Sequence, residues 1–315
     1  MGSILSKIVG YITDPAMRFN AANYRGWTKH MPDESFVKRQ YRAVTGRKLD
    51  LKNPKGFNEK LQWLKLNDRR AGYTDMADKI KAKKFAAEVM GEEHIVPLLG
   101  VWEDPAQIDF DALPERFVLK CNHNSGLGMY ICKDRSKLDA DKVREGLRQG
   151  LEQDYYLACR EWAYKDIDRR VFAEEYLDDS EHSAGLVDYK FYCFNGEPRF
   201  FYLGYANFTP EGEKADLVSF FNMDATPAPF YRTDHEPYPF ETEKPRCFEQ
   251  MVGYARRLSR GIPFVRVDMF LVGEKFYFAE YTFMPGGGYG IFHPQEWEER
   301  LGEWLELPEK EHGQQ

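Results

Sequence analysis

Two pairs of strand-like segments in the second half of the chain constrain the fold more than any other feature. Residues 189–194 and 198–203 are rich in aromatic side chains and are separated by Asn195-Gly196, which is a strong signal for a β-hairpin. A second such pair lies within residues 265–281 and turns at Gly273-Glu274. The sequence therefore predicts antiparallel β-structure from about residue 188 onward.

The first part of the chain is predicted to be mainly helical before its own strands begin. Phe57, Leu61 and Leu64 share one helical face, and Thr74 is the predicted N-cap of a helix that ends at Gly91. Helices followed by sheets with interspersed helices predict an α+β fold, because a doubly wound sheet requires strict alternation.

A glycine-bearing loop joins two further predicted strands. The apolar run 117–120 leads into a loop with Ser125, Gly126 and Gly128, and residues 129–132 are predicted to return as a strand. This unit is a predicted hairpin with the loop at its tip. Such a loop exposes backbone N–H groups to phosphate oxygens, and a lysine beside it adds a positive charge.

The composition excludes several classes of protein. The net charge of −7, from 44 basic and 51 acidic side chains, argues against a nucleic-acid-binding protein, which is normally basic. Five cysteines without a C-x-x-C pair argue against a zinc site or a disulfide framework and favour a reducing compartment. No apolar run is long enough for a transmembrane helix. We therefore expect a cytoplasmic protein, and the length of 315 residues is typical of two domains or one large domain.

The N-terminus is a candidate for peripheral membrane contact. Ile4, Leu5, Ile8 and Ile12 fall on one helical face, and the chain begins with the pattern Met-Gly-x-x-x-Ser. An amphipathic or lipidated N-terminus would hold the protein at the inner face of the membrane. The alternative is a short helix packed on the main body.

Asp268 and Glu280 are candidates for a metal site. They flank the Gly273-Glu274 turn on two predicted strands, and neighbouring strands lie ~4.8 Å apart, so the two carboxylates can be adjacent. Apolar residues surround both, and a carboxylate buried among them requires neutralisation. Magnesium bound to nucleotide phosphates would supply it. If both side chains instead lie on the polar face of the hairpin, they are simply solvated.

Three lysines and one acidic strand end precede this pair. Lys79 lies on a predicted helix, Lys120 directly precedes the glycine loop, and Lys190 lies on a predicted strand. The segment Glu174-Glu175-Tyr176-Leu177 follows an apolar strand, where free backbone groups could read an adenine edge. Taken singly, each of these features is also consistent with a solvated surface.

In this order the features resemble the ATP-grasp superfamily, and more narrowly the TupA-like ATP-grasp group, which is associated with teichuronopeptide and other surface-polysaccharide synthesis. The resemblance covers residues 53–295, and segments 53–63 and 189–196 carry most of the narrower likeness. It implies an ATP-grasp fold, in which two α+β subdomains clasp ATP between antiparallel sheets. It also implies four regions: a helical N-terminal region (1–70), a linker helix with a central-subdomain strand (71–110), a lid subdomain with the glycine-loop hairpin (111–180), and a C-terminal subdomain with the metal site (181–315).

The resemblance also implies roles for individual residues. Those assigned to ATP are Lys79 and Lys120 for the α- and β-phosphates, Ser125, Gly126 and Gly128 for the loop over the phosphates, Glu174, Glu175 and Leu177 for the adenine hinge, and Asp188 for the ribose or phosphates. Lys190 at the γ-phosphate and Arg266 at the reaction intermediates are the implied catalytic residues. Asp268 and Glu280 would ligate one or two Mg²⁺ ions. Thr282 occupies the position at which many members have an asparagine ligand, so the resemblance does not decide whether a second Mg²⁺ ion binds.

The implied reaction is an ATP-dependent ligation. A substrate carboxylate attacks the γ-phosphate, and an amine or another nucleophile then displaces phosphate from the acyl-phosphate, with a surface polysaccharide as one candidate carrier. A kinase would use the same ATP site. A glycosyltransferase would use Asp166-Ile167-Asp168, which also reads as a solvated charged turn. A non-catalytic nucleotide-binding protein would be expected to lack part of the lysine or carboxylate set.

Overall fold

The computed structural model describes residues 14–178, 186–208, 214–232, 235 and 243–309. The predicted amphipathic N-terminal stretch lies outside these ranges. The helices are α1 (Pro15–Tyr24), α2 (Asp33–Thr45), α3 (Phe57–Asn67), α4 (Gly72–Ala77), α5 (Lys79–Met90), α6 (Ala140–Glu152), α7 (Tyr156–Cys159), α8 (Phe248–Leu258) and α9 (Glu296–Trp304). The strands are β1 (Leu98–Trp102), β2 (Phe117–Cys121), β3 (Tyr130–Cys132), β4 (Val171–Glu175), β5 (Val187–Phe194), β6 (Glu197–Phe208), β7 (Lys214–Asn222), β8 (Tyr231–Arg232), β9 (Phe264–Val272), β10 (Lys275–Thr282) and β11 (Phe292–His293).

The described strands form two larger antiparallel sheets and one short pair. The five-stranded sheet has the order β10-β9-β5-β6-β7, the four-stranded sheet has the order β1-β4-β2-β3, and β8 pairs with β11. The predicted hairpins are confirmed. The turn between β5 and β6 uses Asn195 and Gly196 at φ 51° and 83°, as a two-residue turn that matches the strand twist requires.

The five-stranded sheet is covered on both faces. On one face, Phe191 and Val267 pack with Met251 and Ala255 of α8. On the other face, the predicted apolar face of α3 packs on the sheet, and the Phe57 ring lies 5.0 Å from the Phe264 ring. This second face becomes polar beyond α3, and there it borders the four-stranded sheet.

The helix predicted between residues 74 and 91 is two helices. Asp78 adopts an extended conformation between α4 and α5, and its carboxylate accepts hydrogen bonds from the Ile80 and Lys81 N–H groups at 2.9 and 3.4 Å. The prediction that Thr74 caps this helix is therefore wrong for α5. The break places Lys79 at the first position of α5, directly after the Asp78 carboxylate that caps the helix.

Candidate functional site

A row of charged side chains crosses three neighbouring strands of the five-stranded sheet. Lys190 on β5 pairs with Asp268 on β9, and Asp268 pairs with Glu280 on β10. Residues directly opposite each other point to the same face, so the sheet itself assembles the row. The Lys190 ammonium donates a hydrogen bond to Asp268 Oδ2 at 2.7 Å and another to Asp188.

A β-bulge brings Glu280 into this row. Between Phe278 and Glu280 the register of β10 against β9 shifts by one residue, which leaves Ala279 as the extra residue. Without the shift, Ala279 would lie opposite Asp268, and Glu280 would point to the other face.

Arg266 fixes the buried end of the row. Its Nε and Nη2 donate to the two oxygens of Asp268 at 2.7 and 2.6 Å, and Nη2 also donates to Thr282 Oγ1 at 3.0 Å. The same Nη2 lies 3.5 Å from Glu280 Oε1. The Asp268 side chain is 0% exposed, so its charge is neutralised by Arg266 and Lys190 within the protein.

The row faces a cleft of about 320 Å³ between the two sheets. The three predicted lysines reach this cleft from three elements: Lys79 of α5, Lys120 of β2 and Lys190 of β5. Lys79 Nζ donates to the Asn124 carbonyl at 2.7 Å and lies 3.4 Å from Glu280 Oε2. The structure thus brings the three predicted lysines and Glu280 to one cavity.

The glycine loop is anchored at its base and exposed at its tip. Asn124 Nδ2 donates to the Leu127 and Gly150 carbonyls at 3.0 and 3.1 Å, whereas Ser125 and Gly126 are exposed and line the cleft. Gly128 has a different position. A Cβ at Gly128 would lie 2.9 Å from Gly150 Cα, so Gly128 allows close packing on α6 and does not line the cleft.

The predicted adenine hinge is only partly at the cleft. Glu174 lines it, but its carboxylate forms ion pairs with Lys120 and with Lys83, at 3.0 Å in the second case. Glu175 is exposed, and neither Glu175 nor Leu177 lines the cleft. Adenine contacts by these two residues stay a prediction.

Sequence reasoning missed several residues that line the cleft. Lys83 is buried, follows Lys79 by one helical turn, and donates to the Val96 carbonyl at 3.1 Å. Phe172 of β4 and Phe270 of β9 supply apolar walls from the two sheets. The four-residue spacing from Lys79 is a signal that could have identified Lys83. The two phenylalanines are indistinguishable in sequence from core aromatics.

A second missed set holds the glycine-rich loop that follows β10. Asn58, Gln62 and Lys65 are buried on one face of α3. Lys65 Nζ donates to the Gly287 carbonyl at 2.7 Å, Gln62 Nε2 to Gly288 at 2.6 Å, and Asn58 Nδ2 to Gly290 at 2.6 Å. These bonds turn the loop carbonyls toward α3 and fix the position of the loop that follows β10. Their spacing of three to four residues predicts a shared helical face, but the sequence does not indicate which carbonyls they bond.

Charges around the cleft shift the pKa values of its acids. Burial alone raises the pKa of Glu280, but Lys79, Lys190 and Arg266 outweigh it and lower this pKa to about 2. Burial raises the pKa of Asp188 to about 6, although Lys190 opposes the shift. Asp188 Oδ1 is buried and has no hydrogen-bond partner within the described residues.

Magnesium fits this donor set through its oxygen chemistry. Glu280 faces the cleft with 32% of its side chain exposed, and Thr282 lies two residues further along the strand. Asp268 would contribute a ligand only by exchanging a bond to Arg266 or Lys190. Within the described ranges, no group of three or more His, Cys, Asp or Glu side chains could hold a metal ion, so further ligands would come from phosphate oxygens.

The remaining sequence candidates lie elsewhere. Asp166 and Asp168 are exposed, Asp168 pairs with Arg170 at 2.7 Å, and neither aspartate lines the cleft. No helix in the described part of the chain is long and apolar enough to cross a bilayer.

Comparisons with known proteins identify similar sequences and folds. The TupA-like ATPgrasp family matches residues 59–306, whereas no curated protein matches the sequence. Similar solved structures include D-alanine–D-alanine ligase from Bacillus anthracis (17% identity, TM-score 0.36, 66% of this chain and 56% of that chain). The same ligase from Helicobacter pylori has 15% identity and a TM-score of 0.41, over 78% and 62% of the chains. ATP-grasp ligase PsnB with its minimal precursor has 9% identity and a TM-score of 0.40, over 82% and 61%. The chain thus covers less than two thirds of each of these proteins.

Proposed function

The chain belongs to the TupA-like ATP-grasp family, and on that premise we propose that it is an ATP-dependent ligase. It joins a substrate carboxylate to an amine or a related nucleophile through an acyl-phosphate and releases ADP and phosphate. The reaction serves the synthesis of a cell-surface polysaccharide or peptide conjugate. The observation that carries this proposal is the convergence of Lys79, Lys120, Lys190 and Glu280 on one cleft between two antiparallel sheets.

The lysines supply the charge that ATP phosphates require. Lys79 lies at the first turn of α5 and lines the cleft, so its ammonium attracts an anion there. Lys120 is held toward the cleft by Glu174. The exposed tip at Ser125 and Gly126 offers backbone N–H groups to the phosphates.

The nucleoside would lie between the apolar walls. Phe172 and Phe270 offer ring surfaces from opposite sheets. The partnerless Asp188 Oδ1 is available to a ligand hydroxyl such as that of a ribose, because a buried acceptor without a donor is costly. These two features support a nucleotide rather than a simple polyphosphate.

The reaction needs positioned charge and no protein nucleophile. A carboxylate oxygen attacks the γ-phosphorus while the bond to ADP breaks. The nucleophile then attacks the acyl carbon, the bond to phosphate breaks, and the amine loses a proton to solvent. Lys190 lines the cleft and would carry positive charge where negative charge develops in both steps, and Arg266 lies behind it on Asp268. Magnesium held by Glu280 would neutralise phosphate charge.

The test is product analysis with a panel of acids and amines. We expect release of ADP and phosphate, a condensed product by mass spectrometry, and a hydroxamate when hydroxylamine replaces the amine. Lys120→Met should abolish turnover, whereas the exposed Asp166→Asn should not. Formation of AMP and pyrophosphate would refute the proposal, and so would loss of activity in Asp166→Asn alone. A phosphorylated alcohol without hydroxamate would identify a kinase.

A further inference from the structure

A second concave surface lies on the N-terminal helices. One wall is the outer face of α2, one end is the segment 48–52, and the other wall is the C-terminal part of α3. This groove encloses about 1180 Å³ and shares no lining residue with the cleft between the sheets. It is therefore a separate binding surface, and we call it the basic groove.

Positive charge dominates the basic groove although the chain is acidic overall. Its basic side chains are Lys38, Arg39, Arg42, Lys48, Lys52 and Arg69, and its acidic side chains are Asp33, Glu34 and Asp50. Lys38 pairs with Glu34, and Arg69 with Asp33. Within the described part of the chain, the other four cations form no salt bridge, although Lys48 and Lys52 lie near Asp50, and all four are exposed. The groove thus attracts an anion that spans several charges.

The floor of the basic groove is apolar. Leu51 and Leu66 are half-buried there, above the buried Leu49 and Trp63. A polymer with charged substituents and C–H faces matches a cationic rim over such a floor. A flat membrane surface cannot follow a concave floor. A long nucleic acid would extend beyond the groove over a protein with a net charge of −7.

The walls also disfavour an acidic peptide. The two long walls are helices, whose backbone groups are already paired, and among the described residues no strand edge lines the groove. An extended peptide is usually bound through main-chain hydrogen bonds to such an edge. A saccharide has no equivalent backbone requirement.

The helix that forms one wall of the basic groove also contacts the glycine-rich loop after β10 and α7. The inner face of α2, with Phe36, Val37 and Tyr41, packs on Tyr289 of the glycine-rich loop after β10. At the end of the groove, Asp33 accepts a hydrogen bond from Tyr156 of α7 and lies 3.5 Å from Arg160. The groove thus contacts both α7 and the glycine-rich loop after β10.

We propose that the basic groove binds an acidic polysaccharide, a chain of carboxylate-bearing sugars whose end is processed in the ATP cleft. The processing of the chain end in the ATP cleft rests on the proposed ligase function. The binding of the polysaccharide is inferred from the charge and shape of the basic groove alone.

The experiment measures binding of polygalacturonate to the full chain by isothermal titration calorimetry. We expect binding that weakens with added salt, and no binding of neutral dextran. The triple variant Arg39→Glu, Arg42→Glu, Lys48→Glu should bind at least about tenfold more weakly, since three attractive surface charges become repulsive. A matched control is Arg199→Glu, Arg260→Glu, Lys275→Glu, which changes three exposed charges outside the groove by the same amount and should bind like the wild type.

ATP affinity and thermal unfolding, measured on both triple variants, separate the outcomes. Unchanged ATP affinity with weakened polygalacturonate binding supports the inference. Absence of polygalacturonate binding, equal loss in both variants, or equally tight binding of poly-L-glutamate or duplex DNA overturns it and leaves the ligase proposal intact. Absence of ATP binding would refute the ligase proposal, while polygalacturonate binding would still assign the groove.

Discussion

Asp268→Asn should strongly destabilise the protein, because the structure makes this carboxylate the centre of a buried ion network. The side chain is 0% exposed and accepts two hydrogen bonds from Arg266 and one from Lys190. Asparagine keeps the shape but loses the charge and turns an NH₂ group toward cationic donors. Removal of one partner from a buried ion pair costs ~3–5 kcal/mol, and we expect a loss of that size. It is a large part of the ~5–15 kcal/mol that stabilises a typical domain.

Glu280→Gln is the matched control for this prediction. Glu280 lies in the same row, but its side chain is 32% exposed and its nearest cations, Lys79 and Arg266, lie 3.4 and 3.5 Å away. Glu280 is half-buried and its ion pairs are longer than those of Asp268, so this variant should lose less stability than Asp268→Asn. The two isosteric changes on neighbouring strands are thus expected to differ measurably in the free energy of unfolding.

The assay is urea unfolding at neutral pH without nucleotide, followed by circular dichroism and by tryptophan fluorescence, since coincident transitions justify a two-state analysis. The reasoning about the network is refuted if Asp268→Asn unfolds within ~1 kcal/mol of the wild type, or if both variants lose equal stability. A second measurement concerns the metal. Mg²⁺ added with ATP should raise the melting temperature of the wild type more than that of Glu280→Gln, because only a ligand that binds the native state stabilises it.

Three further predictions follow from local geometry. Burial raises the pKa of Glu161 to about 7, so the folded state binds a proton more tightly than the unfolded state. The free energy of unfolding should therefore fall by up to ~3 kcal/mol as the pH rises from about 4.5 to 7. Glu161→Gln should flatten this pH dependence, measured by urea unfolding at several pH values. Gly128 has a φ of 75°, and an added Cβ would lie 2.9 Å from Gly150 Cα, whereas Gly126 has a φ of 82° and open space around it. Gly126→Ala should therefore lower the free energy of unfolding by ~1–2 kcal/mol. Gly128→Ala should lower it further, as measured by chemical unfolding. Lys83→Met removes one of the two lysines on Glu174, so Lys120 becomes the only cation that neutralises this buried carboxylate and is less available to the phosphates. Titration calorimetry should show ATP binding about tenfold weaker, and unchanged affinity would exclude this role of Lys83.

Local chemistry explains which parts of the fold were predictable. The hairpins at Asn195-Gly196 and Gly273-Glu274 were predicted because a two-residue turn between strand-like runs determines its own geometry. The α+β class followed from the order of those runs. The break at Asp78 was missed, because an aspartate inside a helical pattern is common, and only its extended backbone reveals a new N-cap.

Tertiary contacts explain what the sequence could not provide at the site. Lys79, Lys120, Lys190 and Glu280 were singled out as residues, and the structure brings them to one cleft. Their roles toward ATP stay predictions. The sequence did not predict the ion pairs of Glu174 with two lysines or the hydrogen bonds from α3 to the glycine-rich loop, because each set joins elements far apart in the chain.

The carboxylate pair shows how one backbone irregularity decides a site. Asp268 precedes Gly273 by five residues, and Glu280 follows Glu274 by six, so a regular hairpin would leave the two acids out of register and on opposite faces. The shift between Phe278 and Glu280 corrects this mismatch. The pleat then places Lys190 on the other side of Asp268, so charged side chains lie in one row across three strands. The bulge is therefore explained by this alignment of charge, because it interrupts the pairing of β9 and β10 and adds nothing to it.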